Sequence, residues 1–390
     1  SVGNNVMILD ANAEGLSEKQ ILDRILEFGP KLICFVVYGQ NVNAGTTNMS
    51  GTTYIANYLK DNNVSSPISF IGSHVQALPI ETLEKEKSID FVFTNEGVYA
   101  LRNVLQLSEI SEDTLRNIKG IAFRDKKKII INSPEKVVPT ERMNIDLPGY
   151  AWDLLPYKKK PLDMYRSPMW HAEYDFEKRS PYASLQTSLG CQFKCSFCMI
   201  NLINRDNNDK IGVASNYSGM RFWSPEFMIK EFDKLINMGV KTIRIVDEMF
   251  LLNQKYYLPL CKMLAERNRD DSLMMWSYSR IDTVRKPEVL ETVRKAGIKW
   301  LCLGIESGDK KVRLEVAKGK FDDVNIEKVI NQVHDSGIEV MANYIYGLPG
   351  DTKETIEKTF QLSLKLNTLG WNTYAAMALP GSQLYKEALK

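Results

Sequence analysis

The chain has 390 residues, 44% of them hydrophobic and 25% charged, enough apolar material for two or three cores, which excludes disorder as the main state. With 50 basic and 48 acidic residues the formal charge is +2, so there is no global field to gather nucleic acid or an anionic membrane, and a small-molecule substrate is the expected partner. No apolar run approaches the roughly 20 residues of a bilayer crossing, and the opening Ser1-Val2-Gly3-Asn4-Asn5 has no signal pattern and no initiator Met; the expectation is a cytoplasmic protein that is processed, engineered or fragmentary.

From residue 6 to about 108, short β-rich runs alternate with amphipathic stretches: VMILDA, SEKQILDRILEFG, KLICFVVYG, GTTYIANYLKDN, PISFIGS, IETLEKEK and DFVFTNEG. Apolar runs bounded by Gly or Asn and separated by helices predict an α/β domain over residues 1–108, a doubly wound, Rossmann-like parallel sheet with helices on both faces. Ligands of such sheets sit beyond the carboxyl ends of the strands. That directs attention to the loops Gln40 to Met49, Gly72 to Leu78 and Asn95 to Val98.

Residues 109–180 read as a connector. GIAFRDKKKIIIN has the pattern of a hairpin around an Asp-Lys turn, and the proline-marked LPGYAWDLLP and KKKPLDMY follow it. The lysine runs 126–128 and 158–160 read as solvated turns.

From 181 to 390 the alternation resumes in longer units. ASLQTSL, VKTIRIVDE, LMMWSYSRI, KWLCLGIES, EVMANYIYG and WNTYAAMAL are candidate strands, and SPEFMIKEFDKLINMG, KYYLPLCKMLAERN, KPEVLETVRKAG and NIEKVINQVHDSG are candidate helices. Six β units predict a partial, TIM-like (β/α)6 barrel. Reacting groups of such barrels gather at the carboxyl ends of strands, where Cys191 to Cys198, Asp247-Glu248, Ser279-Arg280, Glu306-Ser307 and Gly347 to Gly350 all fall.

Three of the six cysteines lie within eight residues, in S-L-G-C-Q-F-K-C-S-F-C-M; Cys34, Cys261 and Cys302 stand alone in apolar segments, as small core residues do. The C-x3-C-x2-C spacing of Cys191, Cys195 and Cys198 lets one short loop wrap a soft metal centre. A structural zinc would call for a fourth Cys or His close by, and none follows. Three thiols leave one corner of a four-iron cluster without a cysteine.

This spacing, with Phe197 just before the third cysteine and the six-unit β/α pattern around it, resembles the radical S-adenosylmethionine (SAM) superfamily. The resemblance implies a 4Fe-4S cluster on the three cysteines that binds SAM at the open iron and cleaves it to a 5'-deoxyadenosyl radical, with electrons from an external donor such as flavodoxin or ferredoxin. It further implies SAM-holding roles for Glu306 and Ser307, with surface charge as the other account of the glutamate. Arg280 would pair with the methionine carboxylate, or form a structural ion pair. Asp247 and Glu248 would line the substrate cavity or cap the next helix. The turn at Gly347 would let backbone approach the nucleoside, or serve only as a β-to-α turn.

A doubly wound domain ahead of such a barrel is similar to the cobalamin-binding radical SAM class, rich in methyltransferases acting on unactivated carbon or phosphorus. The echoes are DANAEGLS at 10–17, GSHVQALP at 72–79 and NEG at 95–97. They imply cobalamin contacts at Gln40, Gly72, Ser73, His74, Glu96 and Gly97; His74 reads equally as a hydrogen-bonded loop histidine, and the polar loop from Gln40 to Thr47 as an ordinary turn. The Asp-x-His-x-x-Gly signature of a lower cobalt ligand is absent, and the histidines are His74, His171 and His334 alone. Trp152, Trp170 and His171 read either as a lid or as packing aromatics. The expected function is cobalamin-dependent radical methyl transfer; the alternatives are a radical cyclisation or rearrangement without methyl transfer, and a non-enzymatic corrinoid or iron-sulfur carrier.

Overall fold

The computed structural model describes residues 3–38, 42–126, 128–158, 163–200, 202, 219–284, 287–316 and 324–390. The chain divides into two compact units. One comprises Ser1–Arg142, Phe197–Gly219 and Ala378–Lys390, and the other Met143–Ser196 and Met220–Met377.

The first unit runs α1 (Glu18–Phe28), β1 (Ile33–Val36), α2 (Gly45–Asp61), β2 (Ile68–Ile71), α3 (Ser73–Ala77), α4 (Pro79–Lys85), β3 (Phe91–Phe93), α5 (Val98–Leu105), α6 (Glu112–Leu115), β4 (Ile121–Asp125) and β5 (Lys128–Ile131). Ser17 starts α1 with a reciprocal cap, bonding the Gln20 backbone while the Gln20 side chain bonds back, which satisfies two donors that a helix start leaves open. The sheet order is β1-β2-β3-β4-β5. Its two faces carry separate cores: Ile21, Leu22 and Ile25 of α1 with Ala56 and Leu59 of α2 pack on Phe70 and Val92, and Ala100 and Val104 of α5 pack with Phe91, Phe93 and Phe123. Helices thus cover both faces, as the alternating pattern predicts.

Two details differ from the sequence expectation. VMILDA forms no strand: Val6 and Ile8 remain exposed, and Asp10 closes a turn by accepting the Ala13 N–H at 3.2 Å. The GIAFRDKKKIIIN hairpin forms, but it joins the first sheet, with β4 antiparallel to β3 and β5 antiparallel to β4. Its inward residues Ile121 and Phe123 are fully buried, and that apolar face draws a segment read as a connector onto the sheet, making it mixed.

The second unit runs α7 (Met143–Asp146), β6 (Tyr182–Leu185), β7 (Ser188–Leu189), β8 (Arg221–Phe222), α8 (Pro225–Asn237), β9 (Thr242–Ile245), α9 (Gln254–Arg267), β10 (Met274–Arg280), α10 (Pro287–Lys295), β11 (Ile298–Glu306), α11 (Lys310–Val316), α12 (Ile326–Asp335), β12 (Glu339–Tyr346), α13 (Lys353–Leu366) and β13 (Gly370–Ala375). Strands β13-β12-β11-β10-β9-β6 form one all-parallel sheet that curls into the partial barrel. All six candidate strands and all four candidate helices are present. Ser224 caps α8 and Asn325 caps α12 through side-chain oxygens, local signals that place each helix start. A last helix, α14 (Gln383–Ala388), belongs to the first unit. Among the described residues no helix is long and apolar enough to cross a membrane.

Trp152 and His171 are buried, which fits packing aromatics. The His171 ring lies 4.2 Å from both the Trp276 and Trp300 rings, by centroids, at the amino-terminal parts of β10 and β11. Neither of its nitrogens has a hydrogen-bond partner among the described residues, and burial pushes its pKa from 6.5 down to about 3. The unfolded chain therefore takes up a proton below pH 6.5 that the folded chain refuses. Stability should fall as pH drops from 6.5 towards 3, by about 1.4 kcal/mol per pH unit from this residue. Urea unfolding at pH 7.5, 6.0 and 5.0 checks this: His171→Phe should show a shallower loss than the parent chain, and equal slopes would contradict it.

Candidate active site

The strand ends of the second unit gather charge in a small space. Arg280, the last residue of β10, has its guanidinium 3.6 Å from the centre of the Phe193 ring. It bonds Asp282 in two places, Nε to Oδ1 and Nη2 to Oδ2, each at 2.6 Å. Its charge also acts on the Cys195 thiol, favouring the thiolate. Both charged side chains are almost wholly out of water, at 5% and 4% exposure. The ion-pair alternative for Arg280 is therefore present, and its partner is a residue that pattern reading passed over, two positions on in SRID. Phe193 and Cys195 belong to the cysteine loop, so one cation both neutralises Asp282 and holds that loop.

Burial pushes the Cys191 thiol up to about 12 and that of Cys195 to about 11, while Arg280 opposes the rise at both. Without a metal these two sulfurs remain protonated at neutral pH, and binding one would release the protons. The loop spans the division between the units: Cys191 and Cys195 lie in the second and Phe197 and Cys198 in the first. Among the described residues no three His, Cys, Asp or Glu side chains converge as ligands of one ion. A four-iron cube, by contrast, takes its sulfurs at separate irons.

Glu306 ends β11 in a left-handed conformation, φ 65°, where the β11–β12 register slips between Gly304 and Glu306. A bulge re-aims a side chain, and a non-glycine residue held there stores roughly 1–3 kcal/mol of strain. Burial raises the Glu306 carboxyl to about 7 against the pull of Arg280. Glu248 is likewise raised to about 7, by burial and then by neighbouring Asp247. These two acids are poised between charged and neutral forms at physiological pH.

Other expected residues serve the chain itself. Asp247 is buried and accepts the Thr187 N–H at 2.6 Å, the Thr187 hydroxyl at 2.7 Å and the Ser188 hydroxyl, so it anchors the turn that leads into the cysteine loop. Ser307 is fully buried; its hydroxyl accepts the Asp309 N–H at 3.1 Å, and its carbonyl accepts Arg313 Nη1 at 2.6 Å. Gly347 has φ 80° with open space where a side chain would be, and its N–H bonds Asp351 at 2.9 Å. Arg244 of β9, also missed, bonds the Tyr278 hydroxyl and opposes the rise at Glu248; an arginine inside a strand pattern gives no signal of which face it takes.

In the first unit, Gly72 leads into α3, with Ser73 buried and the His74 Nδ1 3.2 Å from the Thr46 hydroxyl. A side chain at Gly72 would run into the Val37 carbonyl, so glycine is required for close packing there. Glu96 accepts the Val138 N–H at 2.5 Å, and Gly97 precedes α5 at φ 76°. Gln40 lies outside the described residues.

Residues 185–363 match the model of the radical SAM superfamily. The chain is similar over 389 residues, at 25% identity, to an uncharacterized methyltransferase of Pyrococcus horikoshii, covering 99% of this chain and 75% of that protein. It is 23% identical over 396 residues to the anaerobic magnesium-protoporphyrin IX monomethyl ester cyclase of Cereibacter sphaeroides, 97% of this chain but 56% of that one. In fold it resembles the radical SAM methyltransferase TsrM of Kitasatospora setae, with a TM-score of 0.74, 16% identity, and coverage of 99% and 72% of the two chains; that structure holds cobalamin and a 4Fe-4S cluster.

Removing Asp282 leaves the Arg280 cation buried beside the cysteine loop. Asp282→Ala should lower unfolding free energy by about 3–5 kcal/mol, measured from urea midpoints on metal-free protein. A loss below about 1 kcal/mol, typical of an exposed pair, would contradict the account.

Proposed function

We propose that this chain, whose residues 185–363 match the radical SAM model, is a radical SAM enzyme that cleaves SAM reductively and transfers a methyl group to an unactivated carbon or phosphorus of a small molecule. The observation that carries the proposal is the C-x3-C-x2-C loop after the first barrel strand, tied down by the buried Arg280. The donors suit an iron-sulfur cluster: three thiols on one short loop, with no fourth cysteine adjacent. Cys191, Cys195 and Cys198 would hold a 4Fe-4S cluster, which would supply one-electron reduction for SAM cleavage, with an external flavodoxin or ferredoxin as the electron donor.

The chain's own groups have distinct tasks. Arg280, shared with Asp282 and Phe193, positions Cys195 and adds positive charge beside the thiolates. Glu306, turned by the bulge of β11, and Glu248 accept hydrogen bonds from the amino and ribose groups of SAM when ionised, and either can keep a proton near pH 7. Backbone at Gly347 admits the nucleoside without a side chain in its way. The strand-end turns at Gly72–His74 and Glu96–Gly97 would hold cobalamin, which supplies the methyl carrier. His74 is half-buried and engaged by Thr46, and it would touch the edge of the corrin.

The similarity to a cyclase favours a second reading, radical cyclisation without methyl transfer. The chain spans 56% of that relative's length. Anaerobic reconstitution with iron, sulfide and cobalamin, followed by product analysis with SAM and reductant, separates the readings. Methyl transfer predicts both 5'-deoxyadenosine and S-adenosylhomocysteine, cyclisation predicts only the first, and neither product would overturn both. Cys195→Ala should abolish 5'-deoxyadenosine formation while the far-ultraviolet circular dichroism of the metal-free protein stays unchanged.

A further inference from the structure

Asn43 lies in the single turn Val42–Ala44 that leads into α2. Its amide meets the far end of the cysteine loop within the first unit: Oδ1 accepts the Met199 N–H at 3.0 Å, and Nδ2 lies 3.7 Å from Cys198 Sγ. The orientation of the amide is fixed by chemistry. A backbone N–H can only donate, so the oxygen must face Met199 and the NH2 group must face the sulfur. Met199 is fully buried, so the acceptor end is anchored in the core of the loop.

We propose that Asn43 is a positioning residue of the iron-sulfur centre, donating an N–H···S hydrogen bond to the Cys198 ligand and raising the reduction potential of the cluster. The inference rests on the cluster reading given above. A thiolate ligand carries more negative charge when the cluster is reduced, so a donor at sulfur stabilises the reduced state more than the oxidised one. A second consequence follows from the position of the donor. Asn43 belongs to the turn after β1, one of the strand-end loops where a sheet of this kind binds ligands. Any ligand that reorders residues 42–44 will therefore change the hydrogen bond at Cys198.

A merely structural asparagine would only satisfy the Met199 N–H, and Asn43→Asp separates the two roles. The aspartate keeps an acceptor for Met199 and places an oxygen where the donor stood. Reconstituted Asn43→Asp should retain the parent's iron content. Its equilibrium constant for cluster reduction, from redox titration followed by electron paramagnetic resonance, should fall at least about threefold, roughly 30 mV at 59 mV per tenfold for one electron. A fully loaded variant with an unchanged midpoint would overturn the proposal. A readout on the parent protein does not depend on how the variant folds: with 15N placed only in asparagine side-chain amides, pulsed spectra of the reduced cluster should show a weak 15N coupling. Absence of that coupling also overturns the proposal. A chain that loads no four-iron centre overturns the cluster reading and this inference together, whereas a full centre with neither signature removes the role of Asn43 alone.

Discussion

Arg280 joins two things that would otherwise not stay together, the ring of Phe193 and the carboxylate of Asp282, and its charge favours the thiolate of Cys195. A buried cation is costly unless its partners are close and well oriented, and here two nitrogens on one edge of the fork, Nε and Nη2, bond both oxygens of one carboxylate. The strand that ends in Arg280 is itself central, paired with β9 on one side and β11 on the other. The cysteine loop has no regular secondary structure up to Ser196, and it is held by Asp247 at its start, by Arg280 at Phe193, by the Ser196 N–H on the Val316 carbonyl and by Asn43 at Met199.

Protonation sets the character of the site. Two thiols raised by burial and two glutamates poised near 7 mean that the metal-free pocket carries little net negative charge. Metal binding would reverse this by taking the protons from the sulfurs. Cys191 and Cys195 are thus buried, protonated donors whose charge would appear only when a metal is there to use it. The glutamates keep the option of donating or accepting a hydrogen bond, which suits a co-substrate that has both an amino and a carboxylate group.

Much of this was legible in the residues. All six barrel strands stand out because each is an apolar run bounded by turn residues, with four helical periods between them, and the cysteine spacing marks the loop. What could not be read depends on pairings between distant positions. VMILDA has the composition of a strand but leaves Val6 and Ile8 in water, and β propensity without a partner does not make a strand. The hairpin at 121–131 announces its turn but not which sheet it joins. Asp282 and Asn43 carry no motif: one is recognised only once Arg280 is seen to need a counter-charge, the other only once a loop 155 residues away is folded beside it. Asp247 and Ser307 sit where cofactor ligands were expected, and their polar atoms are used by Thr187, Ser188, Asp309 and Arg313.

The central claim is that Cys191, Cys195 and Cys198 hold a four-iron centre with one iron left for SAM. Mössbauer spectroscopy of the 57Fe-reconstituted protein, with and without SAM, tests it most directly. The account predicts a 4Fe-4S spectrum in which a single iron site changes its parameters when SAM is added. A two-iron or mononuclear spectrum, or a four-iron spectrum that SAM leaves untouched, would contradict it.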